Sequence, residues 1–324
     1  MWCSKCSIET NDDICPLCGA DTIEDLPVEV YWCEHCRTPI IQTPSQVDKG
    51  TCPLCQRKAK YMTVDLRPVF PEERLLVELL LQKEPHEFSE KSVWASNNRY
   101  YVDGVSIAIS NSLYQNVDAE RIVDLLEQNK CNNTYEYFDK HMATFVMANR
   151  DRLNFLIDEA HSFIQDAAHK FPEERIVVSF SGGKDSTVTA DLASKALSNP
   201  SLVHIFGDTT LEFPSTIEYA HRFRDTHPEA IFQIAKNDEQ NFYDVCDDIG
   251  PPARMMRWCC SMFKTGPITR VINSLYRSQQ ILTFYGIRKS ESVSRSKYNR
   301  IEDSADAVTV SYTHLRAHET EADL

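Results

Sequence analysis

Glycine is scarce in this chain, nine residues in 324. A glycine-rich loop scaffold is therefore excluded, and any paired glycines mark a place where the bare backbone is needed. Positive charge is also short. There are 34 Lys and Arg against 48 Asp and Glu, a formal net charge of −14, which excludes a surface that is a nucleic-acid platform throughout. No run of 18 apolar residues occurs, and the start, Met1-Trp2-Cys3, lacks the form of a secretion signal. The expectation is a soluble, cytoplasmic protein with no membrane partner. No cysteine follows Cys260. What is present is 42% hydrophobic residues, enough for real cores, in a length that suggests two or three domains.

Cysteine is abundant only at the beginning. Eight of the twelve fall before residue 56, in four C-x₂-C pairs: Cys3/Cys6, Cys15/Cys18, Cys33/Cys36 and Cys52/Cys55. In a cytoplasmic chain such pairs point to metal ligation rather than disulfides. Each pair offers two thiolates from one tight turn, and two pairs complete a tetrahedral site. The simplest pairing gives two structural zinc ribbons over residues 1–60, Cys3/Cys6/Cys15/Cys18 and Cys33/Cys36/Cys52/Cys55; a crossed pairing, a rubredoxin-like iron or a redox dithiol are the alternatives. Residues 1–30 carry one basic and seven acidic residues, and residues 31–60 carry five and two. The end of the second ribbon, Arg57-Lys58-Ala59-Lys60, reads as a solubilising face or as a short contact to RNA or DNA.

Residues 61–117 predict a small α+β module. Pro71 opens a leucine-rich helix through Leu81, and Asp103-Gly104 sits between two short apolar runs as a hairpin turn. Residues 118–171 predict helices, one capped by Asp118 and a longer one from about Thr134 to Lys170. His141, His161 and His169 in this stretch read as ordinary helix residues.

From Arg175 onward strands and helices alternate, the pattern of an α/β parallel sheet. Strands are expected at Ile176–Phe180, Leu202–Phe206, Ile231–Ile234 and Ile281–Tyr285. Helices are expected at Lys184–Leu197, Ser215–Thr226, near Glu239–Cys246 and near Lys264–Tyr276. Between the first strand and helix lies Ser181-Gly182-Gly183-Lys184-Asp185-Ser186. Strand, glycine turn and helix aim backbone N–H groups at an anion. The loop is not a Walker A motif, because Asp185 follows Gly183-Lys184 and Val178 stands where that motif has its first glycine. Gly207-Asp208-Thr209-Thr210 and Gly286-Ile287-Arg288 also fall at predicted strand ends, where such sheets bind ligands. Between Arg254 and Arg300 there are ten basic residues and one acidic, Glu291. This net +9 stretch reads as a focused anion site or as a solvated basic face.

Four segments, SGGKDS at Ser181–Ser186, DTTLEFPSTIEYA at Asp208–Ala220, RMMRWCCSMFKTGPI at Arg254–Ile268 and GIRKSESVSR at Gly286–Arg295, resemble the PAPS (phosphoadenosine phosphosulfate) reductase family of the PP-loop ATP-pyrophosphatase superfamily, across about Glu174–Arg300. The resemblance implies an adenine nucleotide, ATP or PAPS/APS, with its phosphates on Ser181, Gly182, Gly183, Lys184 and Ser186. Arg288 and Arg295 would bind the remaining anionic groups, and Asp208 and Glu212 would line the pocket. It implies Lys184, Asp185 and Arg288 as the catalytic residues. Asp185 would help hold Mg²⁺ if ATP is the substrate, and would otherwise cap the helix.

In the iron–sulfur branch of that family a Cys-Cys pair such as Cys259-Cys260 supplies half of a [4Fe–4S] site, and a later C-x₂-C supplies the rest. No later cysteine exists here, so that pattern cannot be completed within these residues. Cys246 and Cys131 match no role and read as buried thiols. The segment Thr309–Leu324 departs from the strand–helix pattern and resembles translated sequencing-adapter read-through. The expectation is a PP-loop domain over 172–308 and a non-native tail over 309–324.

Three functions follow as expectations. The first is reduction of PAPS or APS, with a thiolate attacking sulfur and electrons from a thiol or ferredoxin-type donor. The second is an ATP-dependent adenylating or sulfur-transfer enzyme acting on tRNA or DNA and releasing pyrophosphate. The third is a non-catalytic nucleotide sensor.

Overall fold

The computed structural model describes the chain except residues 1, 4, 7, 11, 13, 23–27, 45, 47, 98, 110–117, 133, 254–255, 278, 288–300, 304–306 and 312–324. It divides into two compact units, Met1–Phe155 and Leu156–Leu315.

The first unit is built from short antiparallel sheets. Strands β1 (Trp2–Cys3) and β2 (Ile8–Glu9) pair with each other. Strands β3 (Glu29–Cys33), β4 (Thr38–Gln42) and β5 (Lys60–Thr63) form a sheet in the order β4-β3-β5. A four-stranded meander follows: β6 (Arg67–Pro68), β7 (Val93–Ser96), β8 (Arg99–Val102) and β9 (Val105–Ala108). The β8–β9 turn is the expected one, with φ of +48° at Asp103 and +80° at Gly104, as a type I′ hairpin requires. Gly104 has a second reason to be glycine. A Cβ there would lie 2.4 Å from the Trp32 indole, which packs flat against the turn. Trp32 joins Trp94 and Tyr101 in one core, with Met142 and Phe145 against it, so the second cysteine ribbon and the meander share apolar packing.

Two features of this unit differ from the sequence pattern. The helix Pro71–Leu80 buries a charged pair inside its leucine face, with Arg74 Nε 3.5 Å from Glu78 Oε1. Glu78 is wholly buried, and its carboxylate accepts the N–H groups of His86 and Phe88, both at 2.7 Å. Burial nonetheless raises its pKa, so these bonds and Arg74 offset only part of the cost of burying the charge. The single helix expected from Thr134 to Lys170 is two, Glu136–Ala148 and Arg150–Ala168. Asn149 breaks it because its side chain is engaged elsewhere: Oδ1 accepts from Ile41 N–H at 2.6 Å and Nδ2 donates to the Pro39 carbonyl at 3.0 Å. Periodicity alone does not register such a break, because the apolar stripe continues through it. Asp118 caps the helix Ala119–Asn129 as expected, accepting from Arg121 N–H at 3.1 Å.

The second unit is an α/β sheet in the order β12-β11-β10-β13-β15-β14. Its strands are β10 (Ile176–Phe180), β11 (Val203–Asp208), β12 (Ile231–Lys236), β13 (Ile281–Tyr285), β14 (Ile301–Asp303) and β15 (Ala307–Ser311). All pairs are parallel except β14–β15. Strand β10 is central and β-branched, with Val177 and Val178 fully buried. Val178 and Phe180 face one core, with Ala193, Phe206, Phe223 and, from the helix Arg150–Ala168, Ala160 and Ile164. Val177, Ile205, Ala235 and Ile281 face the other, with Tyr276.

The strands and helices expected here all occur, with ends displaced by a few residues. The helix expected near Glu239 starts at Phe242 instead, because Asn241 and Asp244 form a reciprocal capping box. The expected departure from the pattern at Thr309 is not seen at that residue. Thr309–Ser311 complete β15, whose Val308 and Val310 pair in register with Leu282 and Phe284. Residues 312–324 of the expected tail lie outside the described residues.

Candidate functional site

Sheet order locates the site before any side chain does. From β10 the chain moves one way to β11 and β12, and then returns to the other side of β10 for β13. This reversal puts the switch point between β10 and β13, and open α/β sheets take ligands beyond the carboxyl ends of the strands at such a point. Ser181–Ser186 leaves β10 there, and Gly286-Ile287 leaves β13 beside it.

The loop is held by its own hydroxyls. Ser186 is buried; its Oγ donates to the Gly183 carbonyl at 2.8 Å and accepts from Ser181 N–H and Ser181 Oγ, both at 3.1 Å. Thr187 Oγ1 donates to the same Gly183 carbonyl at 3.0 Å and meets Tyr219 Oη at 3.0 Å. Ser186, one of the residues on which the resemblance places phosphate, thus braces the loop through its hydroxyl. Gly182 takes φ +74°, a left-handed turn natural only to glycine. Gly183 caps the helix Lys184–Ala196. That helix makes its first backbone bond from Thr187 N–H to Gly183 C=O at 3.0 Å. The amides ahead of Thr187 are directed out of its positive end, with Ser181, Gly183 and Lys184 exposed around them.

Gly286 explains how the two strand ends come together. A Cβ at this position would lie 2.6 Å from the Asp185 carbonyl oxygen, 2.7 Å from its carbon and 2.8 Å from Thr189 Oγ1. The first turn of the loop helix therefore packs directly on the backbone after β13. Asp185 Oδ2 lies 3.9 Å from Lys184 Nζ.

The β11 end adds a second group of polar residues. Asp208 accepts Thr210 N–H at 2.8 Å and pairs with Lys236 Nζ at 3.2 Å. Lys236 ends β12 directly beside Asp208, and Arg270 reaches its carbonyl at 3.5 Å. Glu212 accepts from Thr209 Oγ1 at 2.8 Å. Thr210 holds φ +64°, unusual for a β-branched residue, and its hydroxyl accepts Phe242 N–H at 2.8 Å. Sequence reading missed Lys236. The signal for Lys236 was available, since parallel neighbours in register place both strand-terminal residues, Asp208 and Lys236, on one edge.

Arg288 and Arg295 lie outside the described residues, as do Arg254, Lys289, Lys297 and Arg300 of the basic stretch. Arg257, Lys264, Arg270 and Arg277 are described and all exposed. Cys259 packs with Cys246 against Val245, Trp258 and Phe263, while Cys260 is exposed at the start of the π-helical turn Cys260–Thr265. Neither thiol joins a metal-ligating group among the described residues. Cys246 is half-buried rather than buried, and burial followed by Asp247 and Cys259 raises its thiol pKa. The side chain of Cys131 lies outside the described residues.

The first unit holds two further sites. Cys3/Cys6/Cys15/Cys18 and Cys33/Cys36/Cys52/Cys55 each bring four sulfurs within 4.8 Å of one another, the uncrossed pairing. Cys3–Cys18 and Cys33–Cys55 are 3.6 Å apart and Cys36–Cys52 3.8 Å. Sulfurs about 2.3 Å from a tetrahedral ion would stand roughly 3.8 Å apart, so the donor sets fit such an ion. Cys6 N–H and Cys36 N–H each donate to the first sulfur of their own pair at 3.4 Å. The thiols perturb one another. Hydrogen bonding to Cys18 pushes Cys6 up to about 12. At Cys55 burial acts upward, but the Arg57 N–H and neighbouring thiols outweigh it and bring the group down to about 7. His35 is not a ligand; its Nδ1 contacts Arg57 at 3.1 Å.

Residues 175–312 match the family model described as the phosphoadenosine phosphosulfate reductase domain. An uncharacterized protein of Methanocaldococcus jannaschii, MJ0066, is 31% identical over 207 residues, 62% of this chain and 42% of its own length. A second from that organism, MJ0973, is 30% identical over 155 residues, 47% of this chain and 36% of its own. The chain thus spans less than half the length of these relatives. Among solved structures, phosphoadenylyl-sulfate (PAPS) reductase from Candida auris in a phosphate complex aligns at TM-score 0.36 and 18% identity, over 47% of this chain and 70% of that one. No described helix is long and apolar enough to cross a membrane.

Proposed function

From a match to the phosphoadenosine phosphosulfate reductase domain at residues 175–312, we propose that the second unit binds an adenine nucleotide and acts on a sulfonucleotide, PAPS or APS. The observation that carries this reading is the glycine loop Ser181–Ser186 at the reversal point of the sheet, backed by the close packing of Gly286 on Asp185. The anionic end of the nucleotide sits on the first-turn amides and Lys184, with Ser186 keeping the loop in shape. Lys236 and Arg270 add positive charge on the same edge, and Lys236 can exchange Asp208 for a substrate anion. Arg288 and Arg295 complete the anion site in this reading.

The reaction proposed is attack of an external thiolate on the sulfur, with cleavage of the bond to the phosphate oxygen. The nucleotide phosphate leaves, and positive groups on the loop edge stabilise its growing charge. A second thiol then releases sulfite and forms a disulfide. The electron donor is a small thiol or a redox protein.

A second reading, adenylation or sulfur transfer driven by ATP, is favoured by Asp185. A carboxylate at the mouth of a phosphate loop is what Mg²⁺ needs, since that ion is held by one or two carboxylates together with substrate phosphates. The two four-cysteine sets of the first unit bind structural Zn²⁺ in either case.

Calorimetric titration with PAPS, APS, ATP and the product nucleotide tests the assignment. Saturable binding of at least one, weakened about tenfold to a hundredfold by Lys184→Ala through loss of a charge-assisted contact, is expected. Sulfite release from bound PAPS with a dithiol separates the first reading from the second, which instead yields pyrophosphate from ATP. No binding of any of the four would overturn both.

A further inference from the structure

The first unit contains a cleft of about 550 Å³ that neither cysteine set uses. It lies between the second cysteine ribbon and the meander, and the last strand of each sheet, β5 and β9, borders it. Trp32 of β3, Tyr61 and Met62 of β5 and Tyr101 of β8 give it an aromatic and apolar lining. Glu34, Lys60, Arg99, Asp103 and Ser106 supply its polar groups.

The two walls are fixed to each other. Trp32 and Tyr101 share one core, and Thr63 Oγ1 meets Ser96 Oγ at 2.8 Å between the sheets. Arg37, just after β3, grips Asp103 with Nε to Oδ1 at 3.1 Å and Nη2 to Oδ2 at 2.9 Å. A cleft held in this way is formed before its ligand arrives, which lowers the ordering cost of binding. Tyr61 is its exposed aromatic, 59% accessible although packed at right angles to Tyr31 with ring centroids 5.8 Å apart. A ring left in water on a sheet edge, with two further aromatics in the same cleft, is a platform for stacking.

Charge narrows the choice of ligand. Asp103 is paired with Arg37 and Lys91, and Glu34 with Lys60 at 2.5 Å, so both carboxylates of the cleft are answered within the protein. Arg99 instead contacts the Ser106 hydroxyl at 3.3 Å. Lys58, two residues before Lys60, donates to the Lys49 carbonyl and the Thr51 hydroxyl. Arg57 contacts His35, the neighbour of Glu34. Among the described residues none of these three cations has a carboxylate partner. They belong to both walls, which suits several anions in succession rather than one. Flat rings and repeated anions occur together in a nucleic-acid strand. A duplex keeps its bases stacked inside, so an aromatic cleft selects an unpaired strand.

We propose that this cleft binds single-stranded nucleic acid, with a base stacked on Tyr61 and successive phosphates on Arg99, Lys60 and Lys58. The site is confined to the first unit and does not depend on which reaction the second unit performs.

The test uses the full zinc-loaded chain and fluorescein-labelled oligouridylate and oligothymidylate of about twelve nucleotides, read by fluorescence anisotropy. Saturable binding of at least one of them is expected. Three phosphate contacts predict a slope near −2 in log affinity against log salt, roughly a twentyfold loss between about 50 and 200 mM. Tyr61→Ala should weaken binding about fivefold to a hundredfold and leave that slope unchanged. Arg99→Gln should weaken binding and flatten the slope by about 0.7. If Tyr61→Ala fails to fold, Arg99→Gln, on the other sheet, carries the test. The proposal is overturned by no saturable rise up to about 100 µM protein at the lower salt, by affinity independent of salt, by tighter binding of a duplex than of either strand, or by parent affinity in either folded variant.

Discussion

Gly286→Ala is the sharpest perturbation of the site, because it adds one methyl group at a place where the backbone has no room. The new Cβ would sit at 2.6 and 2.7 Å from the Asp185 carbonyl group and 2.8 Å from Thr189 Oγ1. Backbone atoms at those distances must move, and they belong to the first turn of the loop helix. Overpacking of this kind costs about 1–3 kcal/mol. For a unit of this size each kcal/mol lowers the melting temperature by roughly 2–4 °C. Gly183→Ala is the matched control. Its nearest contact would be Ser181 Oγ at 3.4 Å, and its φ of −85° suits any residue. Loss of the glycine cap there costs under about 1 kcal/mol. Differential scanning calorimetry and nucleotide titration should therefore separate the two variants. Gly286→Ala loses both stability and affinity, whereas Gly183→Ala keeps most of its stability and loses affinity because its methyl faces the anion. Equal melting temperatures for Gly286→Ala and the parent protein would refute the reasoning.

Further predictions concern the first unit. Glu78→Leu strips Arg74 of its counter-charge and two N–H groups of their acceptor, so urea unfolding should show a loss of about 3–5 kcal/mol. Asn149→Ala leaves the Ile41 N–H and the Pro39 carbonyl without their side-chain partners, for about 1–3 kcal/mol at each group buried from water. Adding Zn²⁺ to metal-free protein should release protons, because thiols such as Cys6 are held high until an ion displaces theirs. Apparent affinity should then fall as pH drops from 8 to 6, and a flat pH profile would contradict thiolate ligation.

Much of this architecture is legible in the sequence because it rests on local signals. The β-branched run Ile176–Phe180, the loop glycines, Asp118 before a helix and Asp103-Gly104 between strands each act within a few residues. The uncrossed cysteine pairing is legible for the same reason, since the shorter loops close at less entropic expense. What escaped is set by contacts distant in sequence. Asn149 breaks a helix because β4 offers it hydrogen bonds over a hundred residues earlier. Glu78 survives inside a leucine face only because His86 and Phe88 turn their N–H groups toward it. Gly286 reads as the start of a strand-end ligand segment, but its close packing on Asp185 shows only in the fold, and Lys236 gains meaning only once β11 and β12 are placed in register.

The central claim is that Ser181–Ser186 receives the anionic end of an adenine nucleotide. Backbone amide NMR of the full chain during titration with the product nucleotide addresses it most directly. The account predicts saturable shifts centred on Gly182, Gly183, Lys184 and Asp185, with smaller ones at Asp208 and Lys236. Saturable shifts confined to other parts of the chain, with these amides unmoved, would contradict it.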